Sequence, residues 1–211
     1  IIDSLPEGKL VEDNFKLVES PISETNEGEV LVKTISFAIT AGTRAGLQGS
    51  ASYAGKPKTG IVMNSTGIGT IVQSNHENFP VGSKVLTQTG WQSYSVQKIE
   101  SLTLIREGVD PLFYLGPLGI NGMTAYFGLL EVGKPNPDDT LMVSAAAGSV
   151  GHLVGQIGKI KGCKVVGVCG SDDKCNLLSK ELGFNVALNY KDANFRQNLK
   201  ESTPNGLDIY F

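Results

Sequence analysis

The sequence predicts an α/β protein in two parts. A β-rich half covers residues 1–115, and a doubly wound, parallel-sheet domain lacking its C-terminal portion covers 116–211. Three observations predict this. Short alternating or apolar runs, separated by glycine-bearing turns, fill the first half. From about residue 118 strand and helix patterns alternate. Between a strand and a helix of that second half lies a glycine-bearing turn, Ala145-Ala-Ala-Gly-Ser-Val-Gly151.

In the first half, Glu29–Ile35 alternates as a strand does. Thr59–Val72 is apolar and glycine-punctuated, and Gly67-Ile-Gly69 predicts a bend or bulge. Val81-Gly-Ser83 makes a turn into a strand at Lys84–Thr87. Trp91–Val96 is predicted as a strand, with Trp91, Ser93 and Ser95 on one side and Gln92, Tyr94 and Val96 on the other. Strands this short and this many predict a small barrel or sandwich.

In the second half, Ile120–Leu130 has helical apolar spacing at Ile120, Met123, Ala125/Tyr126, Phe127 and Leu130, and stops near Gly133-Lys-Pro135. Strands are predicted at 140–144, 164–169, 186–189 and 207–211, with helices at 152–160, 172–182 and 193–201. In the first of these helices Leu153, Gln156/Ile157 and Ile160 share a face. A doubly wound dinucleotide domain has about six strands in two halves. Four strands, the last ending on the apolar run at Phe211, predict a partial domain of a longer enzyme.

Composition narrows the function. A net charge of −3 gives no electrostatic drive toward nucleic acid or an anionic membrane. No apolar run reaches the ~18–20 residues of a membrane span, and Ile1-Ile2-Asp3 does not open a signal-peptide pattern. The cysteines Cys163, Cys169 and Cys175 are odd in number, form no C-x-x-C pair and have no nearby histidine to complete a metal site. They predict a reducing, cytoplasmic setting and no metal.

Aligned to G-x-G-x-x-G, the turn has Ala146, Gly148 and Gly151 at the three positions. Gly148 lets backbone approach a pyrophosphate, Gly151 lets helix and strand pack closely, and the helix N-terminus offers free N–H groups. The end of the next strand selects the cofactor. A carboxylate at that strand end favours NAD; here Gly170 leaves room for a 2′-phosphate, and the Ser171 hydroxyl and Lys174 ammonium suit it. The cofactor predicted is NADP. Ser171 also reads as an N-cap with Asp172 and Asp173 in the first turn. The two readings are compatible, although two aspartates beside a 2′-phosphate weaken such a site. Tyr190, after the third strand, either contacts the adenosine end or packs.

These residues carry a resemblance. Met142-Val-Ser-Ala-Ala-Ala-Gly-Ser-Val-Gly151, Val154-Gly-Gln-Ile157, Lys161-Gly-Cys-Lys-Val-Val-Gly167, Gly170-Ser-Asp-Asp-Lys174, Glu181-Leu-Gly-Phe184 and Asn189-Tyr-Lys191 are similar to the prostaglandin reductases. These are also called leukotriene hydroxydehydrogenases or alkenal/one oxidoreductases, of the zinc-independent medium-chain dehydrogenase/reductase superfamily. Gly122-Met-Thr-Ala-Tyr-Phe-Gly-Leu-Leu130 matches the family's helix leading into the cofactor domain. The match is dense from 116 to 211 and looser from 10 to 115. It implies a GroES-like catalytic domain at 1–115 and an NADP-binding Rossmann domain, partial here, at 116–211. The implied reaction is NADPH-dependent reduction of the carbon–carbon double bond of α,β-unsaturated aldehydes and ketones. The partner is then a small-molecule enal or enone; relatives are often homodimers, and the assembly of this chain stays open.

Carried over by motif, Gly148, Ser149, Val150 and Gly151 line the pyrophosphate. Lys174 and Tyr190 hold the 2′-phosphate, assisted by Ser171, and Thr124 lies near the nicotinamide. Zinc-dependent relatives have an early cysteine and a Gly-His-Glu; the corresponding stretches here read Ala41-Gly-Thr-Arg-Ala45 and Met63-Asn-Ser-Thr-Gly67. Relatives often carry Asp-Pro-Tyr-Met-Arg and Gly-Met-Pro-Gly where this chain has Thr40-Ala-Gly-Thr-Arg44 and Gly119-Ile-Asn-Gly122, so the family's substrate range does not carry over by motif. The family's active-site tyrosine falls after Phe211. No catalytic residue is assigned: Tyr53 and Tyr94 are candidate proton donors that read as well as packing residues, His76 reads as a loop residue, and Trp91 reads as core or as a pocket wall. Two other functions are alternatives: a quinone reductase of the same superfamily, against which the density of the motifs around 142–191 argues, and a dinucleotide-binding fragment without catalysis.

Overall fold

The computed structural model describes residues 1–49 and 55–211. They form two compact units, Ile1–Leu115 and Gly116–Phe211.

The first unit is built on an antiparallel sheet of β1 (Glu29–Phe37), β2 (Gly67–Gln73), β3 (Lys84–Thr87), β4 (Tyr94–Lys98) and β5 (Thr103–Leu104), in the order β4-β1-β2-β3-β5. Helix α1 (Ala41–Gln48) follows β1 and is capped by Thr40, whose hydroxyl accepts from Thr43 N. Val30, Val32, Ile71 and Val85 form a core on the sheet. The predicted irregularity at Gly67–Gly69 is real, but the extra residue lies on the partner. Thr34 pairs with Gly69 and Ser36 with Ile68, so Ile35 is the bulged position. The glycines admit that close approach. A Cβ on Gly69 would stand 2.7 Å from Lys33 O, and one on Gly67 would stand 2.8 Å from Ser36 O.

The strand predicted at Trp91–Val96 starts later, at Tyr94. Gly90, at φ 64°, turns the chain, and Trp91 N donates to Met63 O at 2.9 Å. The indole packs with Phe15 (5.0 Å between centroids) and Phe37 (5.6 Å), beside the cluster of Ile2, Leu47 and Met63. Aromatic packing therefore takes Trp91 and Gln92 out of the ladder, Ser93 O still accepts from Thr34 N at 2.8 Å, and Ser95 rather than Tyr94 is buried.

The second unit has a four-stranded parallel sheet, β6 (Thr140–Val143), β7 (Lys164–Cys169), β8 (Val186–Asn189) and β9 (Ile209–Tyr210), in the order β8-β7-β6-β9. The first strand of the unit is central and the chain crosses from β8 back to its other side, the pattern of a doubly wound sheet. The helices are α2 (Ile120–Tyr126), α3 (Gly151–Ile160), α4 (Asp172–Asn176) and α5 (Phe195–Ser202). α2 and α4 each run on into a π-helical turn, at Phe127–Gly133 and Leu177–Glu181. Leu129, Leu141, Val143, Val154, Val165, Leu178 and Phe184 anchor one continuous core.

Two predicted helix faces are rotated. In α3 the buried residues are Gly151, Val154, Gly155 and Gly158, while Ile160 is 82% exposed. A Cβ on Gly155 would lie 1.9 Å from the Phe184 ring, and one on Gly158 would lie 2.5 Å from Leu141. The glycines thus bring the helix onto the core, and the bulkier stripe faces outward. In α2 and its extension, Ala125 and Leu129 are buried, whereas Ile120, Met123, Tyr126 and Phe127 are at least half exposed. Met123, Tyr126 and Phe127, with Leu153 and Ile157, line an apolar groove of about 510 Å³.

Candidate dinucleotide-binding site

β6 ends at Val143, and the chain turns tightly over the sheet. Ser144 N and Oγ both donate to Phe211 O, at 2.8 and 3.1 Å. Ala145 takes φ 45°, a left-handed conformation that a non-glycine residue rarely adopts. Ala146 N then donates to Val168 O at 3.0 Å, and Gly148 N closes the turn on Ala145 O at 2.8 Å. The Ala146 side chain, at the first glycine position of the motif, is fully buried in the core. Gly151 opens α3 with no room for a side chain: a Cβ would stand 2.6 Å from Ala145 O and 2.8 Å from Ala146 Cα. Gly148 and Ser149 are exposed and Val150 is half-buried. Together they present backbone and the first-turn N–H groups that a helix cannot satisfy internally. The spacing and chemistry fit a pyrophosphate.

Sequence reasoning missed two participants. Ala145 takes the strained position, which only its place directly after the strand signals. His152 contacts the loop, its Nδ1 lying 2.8 Å from Gly148 O and its backbone N donating to the same oxygen at 3.1 Å. The signal was the four-residue spacing between Gly148 and His152, one helical turn.

A second cluster forms where β7 and β8 end side by side. Ser171 caps α4, its Oγ accepting from Lys174 N at 3.4 Å. Its O–H is left as a donor, so the cap and the phosphate-binding reading coexist. Tyr190 N donates to Cys169 O at 3.0 Å, and its ring lies against Gly170, where a Cβ would stand 3.0 Å from it. Lys174 and Tyr190 are both exposed, and the Lys191 ammonium sits 5.8 Å from the Tyr190 ring centroid. Beneath the loop, Cys169 Sγ and Cys175 Sγ are 3.1 Å apart. Burial first, then the hydrogen bond to Cys169, pushes the Cys175 thiol up to about 12, so it stays protonated at neutral pH. Burial likewise raises Cys163.

Thr124 lies on α2 and is exposed, its hydroxyl donating one turn back to Ile120 O at 2.7 Å. Gly122 on the same helix is held against Pro117, whose carbonyl oxygen would be 1.8 Å from a Cβ there. In the first unit, Tyr94 is half-buried on β4 opposite Lys33. His76 Nδ1 accepts from Asn78 N at 3.2 Å and its ring packs on Phe79, which is a turn-forming role. Trp91 belongs to the aromatic cluster described above, and Tyr53 lies outside the described residues. Among the described residues no group of three or more His, Cys, Asp or Glu side chains could hold a metal ion, and no helix is long and apolar enough to cross a membrane.

Comparison with known proteins places the chain among oxidoreductases. Residues 1–105 match the family model described as N-terminal domain of oxidoreductase, and residues 149–211 match the one described as Zinc-binding dehydrogenase. The chain is 38% identical to the NADPH-dependent curcumin reductase of Escherichia coli (strain K12) over 212 positions, covering 100% of this chain and 61% of that protein. It is 40% identical to Prostaglandin reductase 1 of Mus musculus over 210 positions, covering 97% and 61%. The crystal structure of CurA in complex with NADPH from Vibrio vulnificus superposes with a TM-score of 0.93 at 38% identity, covering 100% of this chain and 63% of that one. The chain therefore spans 61% of the length of these curated relatives.

Proposed function

The chain belongs to the zinc-independent medium-chain dehydrogenase/reductase family, and from that premise we propose that it serves an NADPH-dependent reductase of carbon–carbon double bonds conjugated to a carbonyl. In this reading unit Gly116–Phe211 binds the cofactor and unit Ile1–Leu115 is the catalytic domain. The observation that carries the reading is the turn at 145–151. Its third motif position must be glycine, since a Cβ on Gly151 would stand 2.6 Å from Ala145 O, and it sits in a chain that aligns from end to end with an NADPH-dependent curcumin reductase and with a CurA solved in complex with NADPH.

Bound NADPH supplies the hydride that adds to the β-carbon of the enal or enone. Gly148, Ser149, Val150 and Gly151 hold the pyrophosphate through backbone N–H groups. Lys174, the free donor of Ser171 and the Tyr190 hydroxyl take the 2′-phosphate, and Thr124 lies toward the nicotinamide. Proton delivery to the α-carbon completes the balance, giving NADP⁺ and the saturated carbonyl compound. The substrate is a small molecule, the assembly a homodimer, and the setting a reducing cytoplasm in which three free cysteines persist.

Titration of the chain with NADPH, followed by fluorescence, tests cofactor binding. Adding a 2-alkenal and, separately, a quinone then tests the reaction. Oxidation of NADPH by the alkenal is the expected result. Binding without turnover of either acceptor leaves a dinucleotide-binding fragment, and turnover of the quinone alone makes the protein a quinone reductase. Sedimentation at several concentrations reads the assembly.

A further inference from the structure

The NADP reading leaves one feature of the loop after β7 unexplained. In NAD-binding sites of this type an acidic residue roughly 20 positions beyond the glycine motif accepts from the ribose 2′-hydroxyl. The strand-end position itself is Gly170, but Asp172 follows two residues later, 21 residues after Gly151, in the first turn of α4 next to Ser171 and Lys174. A carboxylate free to face the ribose there would repel a 2′-phosphate and favour the unphosphorylated cofactor.

The structure shows that this carboxylate is engaged. Asn189, the last residue of β8, donates from Nδ2 to Asp172 Oδ1 at 2.8 Å. The amide can face Asp172 only one way. Its Oδ1 accepts from Lys191 N at 3.1 Å, and a flipped amide would set two donors together on one side and two acceptors on the other. Asn189 is itself fixed in a turn, since Asp192 N donates to its carbonyl at 3.0 Å. The adjoining Tyr190 is bonded to the end of β7 and packed on Gly170. The β8 terminus is thus a rigid arm that reaches across to the β7 loop and ends on one oxygen of Asp172.

We propose that Asn189 is a positioning residue for cofactor selection: by holding the Asp172 carboxylate against the end of β8, it leaves Ser171 and Lys174 to receive a 2′-phosphate. This inference rests on the NADP reading above and adds to it the device that reconciles an acidic residue next to Ser171 with a phosphorylated cofactor.

Dissociation constants of NADPH, NADH and 2′,5′-ADP, measured by fluorescence and calorimetry on the wild-type chain and on Asn189→Ala, Asp172→Asn and the double variant, test it. The expected result is that Asn189→Ala weakens NADPH and 2′,5′-ADP by about tenfold, through release of a like charge toward the phosphate, and leaves NADH within about twofold. Asp172→Asn, at an exposed position, binds NADPH at least as tightly as the wild type. The double variant regains most of the lost affinity, which a purely structural role for Asn189 would not allow. Equal losses for NADPH and NADH in Asn189→Ala, or a double variant no better than Asn189→Ala, would overturn the proposal while leaving the NADP reading intact. Wild-type chain that binds NADH as tightly as NADPH would instead overturn the NADP reading, and the proposal with it. Should Asn189→Ala fold poorly, weaker NADPH binding by Asp172→Asn than by the wild type would suffice to sink the idea.

Discussion

The two units solve the burial of a sheet differently. In the second unit the middle of β7 is buried on successive residues, Val165, Val166 and Gly167, because helices cover both faces of a parallel sheet. Its core is one cluster from Ala125 to Phe184. In the first unit β1 is continuously buried only at Val30–Val32. From Lys33 to Phe37 exposed and half-buried residues alternate, as befits an antiparallel sheet with a wet face. Among the described residues, its buried apolar side chains include two separate small clusters, with Leu31 and Ile68 outside both, and Thr87, Thr89 and Ser95 are buried as well. The lesson is that damage spreads through the second unit and stays local in the first.

The strongest test of that contrast is a pair of cavities. Leu141 and Ile71 are both fully buried, one in each unit. Leu141→Ala should cost about 4 kcal/mol and Ile71→Ala about 3 kcal/mol, within the range for large-to-small core substitutions. Urea unfolding followed by NADPH binding reads both. Leu141 lies on the strand that feeds the 145–151 turn, so its variant should also lose cofactor affinity, whereas Ile71→Ala should not. Equal losses of affinity would break the comparison.

Next in size are two glycines. Gly151→Ala drives a methyl into backbone at Ala145 and Ala146, and Gly69→Ala drives one into Lys33 O and the Val32 side chain. Overpacking of this kind costs about 2–3 kcal/mol. Both should lower the thermal midpoint, but only Gly151→Ala should abolish 2′,5′-ADP binding, because only it reshapes the turn at 145–151 proposed to hold the phosphates. A Gly151→Ala chain with wild-type affinity would remove that loop from the site.

How much of this was legible depended on whether a residue's environment is local. The alternation of strand and helix after residue 118, the turn at 145–151, the Ser171 cap and the turn at Gly82 are set by neighbours within one turn or one strand, and sequence pattern reads them. The inward faces of α2 and α3 are not legible, because apolar periodicity marks the bulky stripe, whereas small residues make the close contact. Gly155 against Phe184 needs a partner 29 residues away that no local pattern names. The bulge at Ile35 depends on the register of β2, and Trp91 leaves its strand for Phe15 and Phe37, far off in sequence. The Asn189–Asp172 bond joins the end of β8 to the start of α4, which only the parallel pairing of β7 and β8 brings together.

A smaller effect is expected at the cap of α4. Ser171→Ala removes the acceptor of Lys174 N and should cost about 1 kcal/mol, typical of an N-cap. If the hydroxyl also meets the 2′-phosphate, NADPH affinity should fall several-fold while NADH affinity holds. A change in stability with no change in NADPH affinity would restrict Ser171 to capping.

The smallest effect at neutral pH, and the one most specific to the second unit's continuous core, concerns Cys175. Its thiol packs against that core beside Cys169, and burial there lifts its ionisation from the usual 9.0 to about 12. An acid whose pKa is raised in the folded state favours folding while it stays protonated in both states. Below about pH 9 the contribution is therefore complete. Between about 9 and 12 the unfolded chain loses the proton and the folded chain keeps it, so the unfolded state binds fewer protons and stability falls as pH rises. Thermal midpoints of the wild type and Cys175→Ser should thus differ little in their pH dependence up to pH 8. By pH 10.5 the wild type should have lost more than the variant, and iodoacetamide should label Cys175 in the folded chain far more slowly than in urea. Parallel alkaline profiles for the two proteins would mean that the thiol is not held by the core, and with it the picture of one continuous core beneath the cofactor loop would fail at that edge.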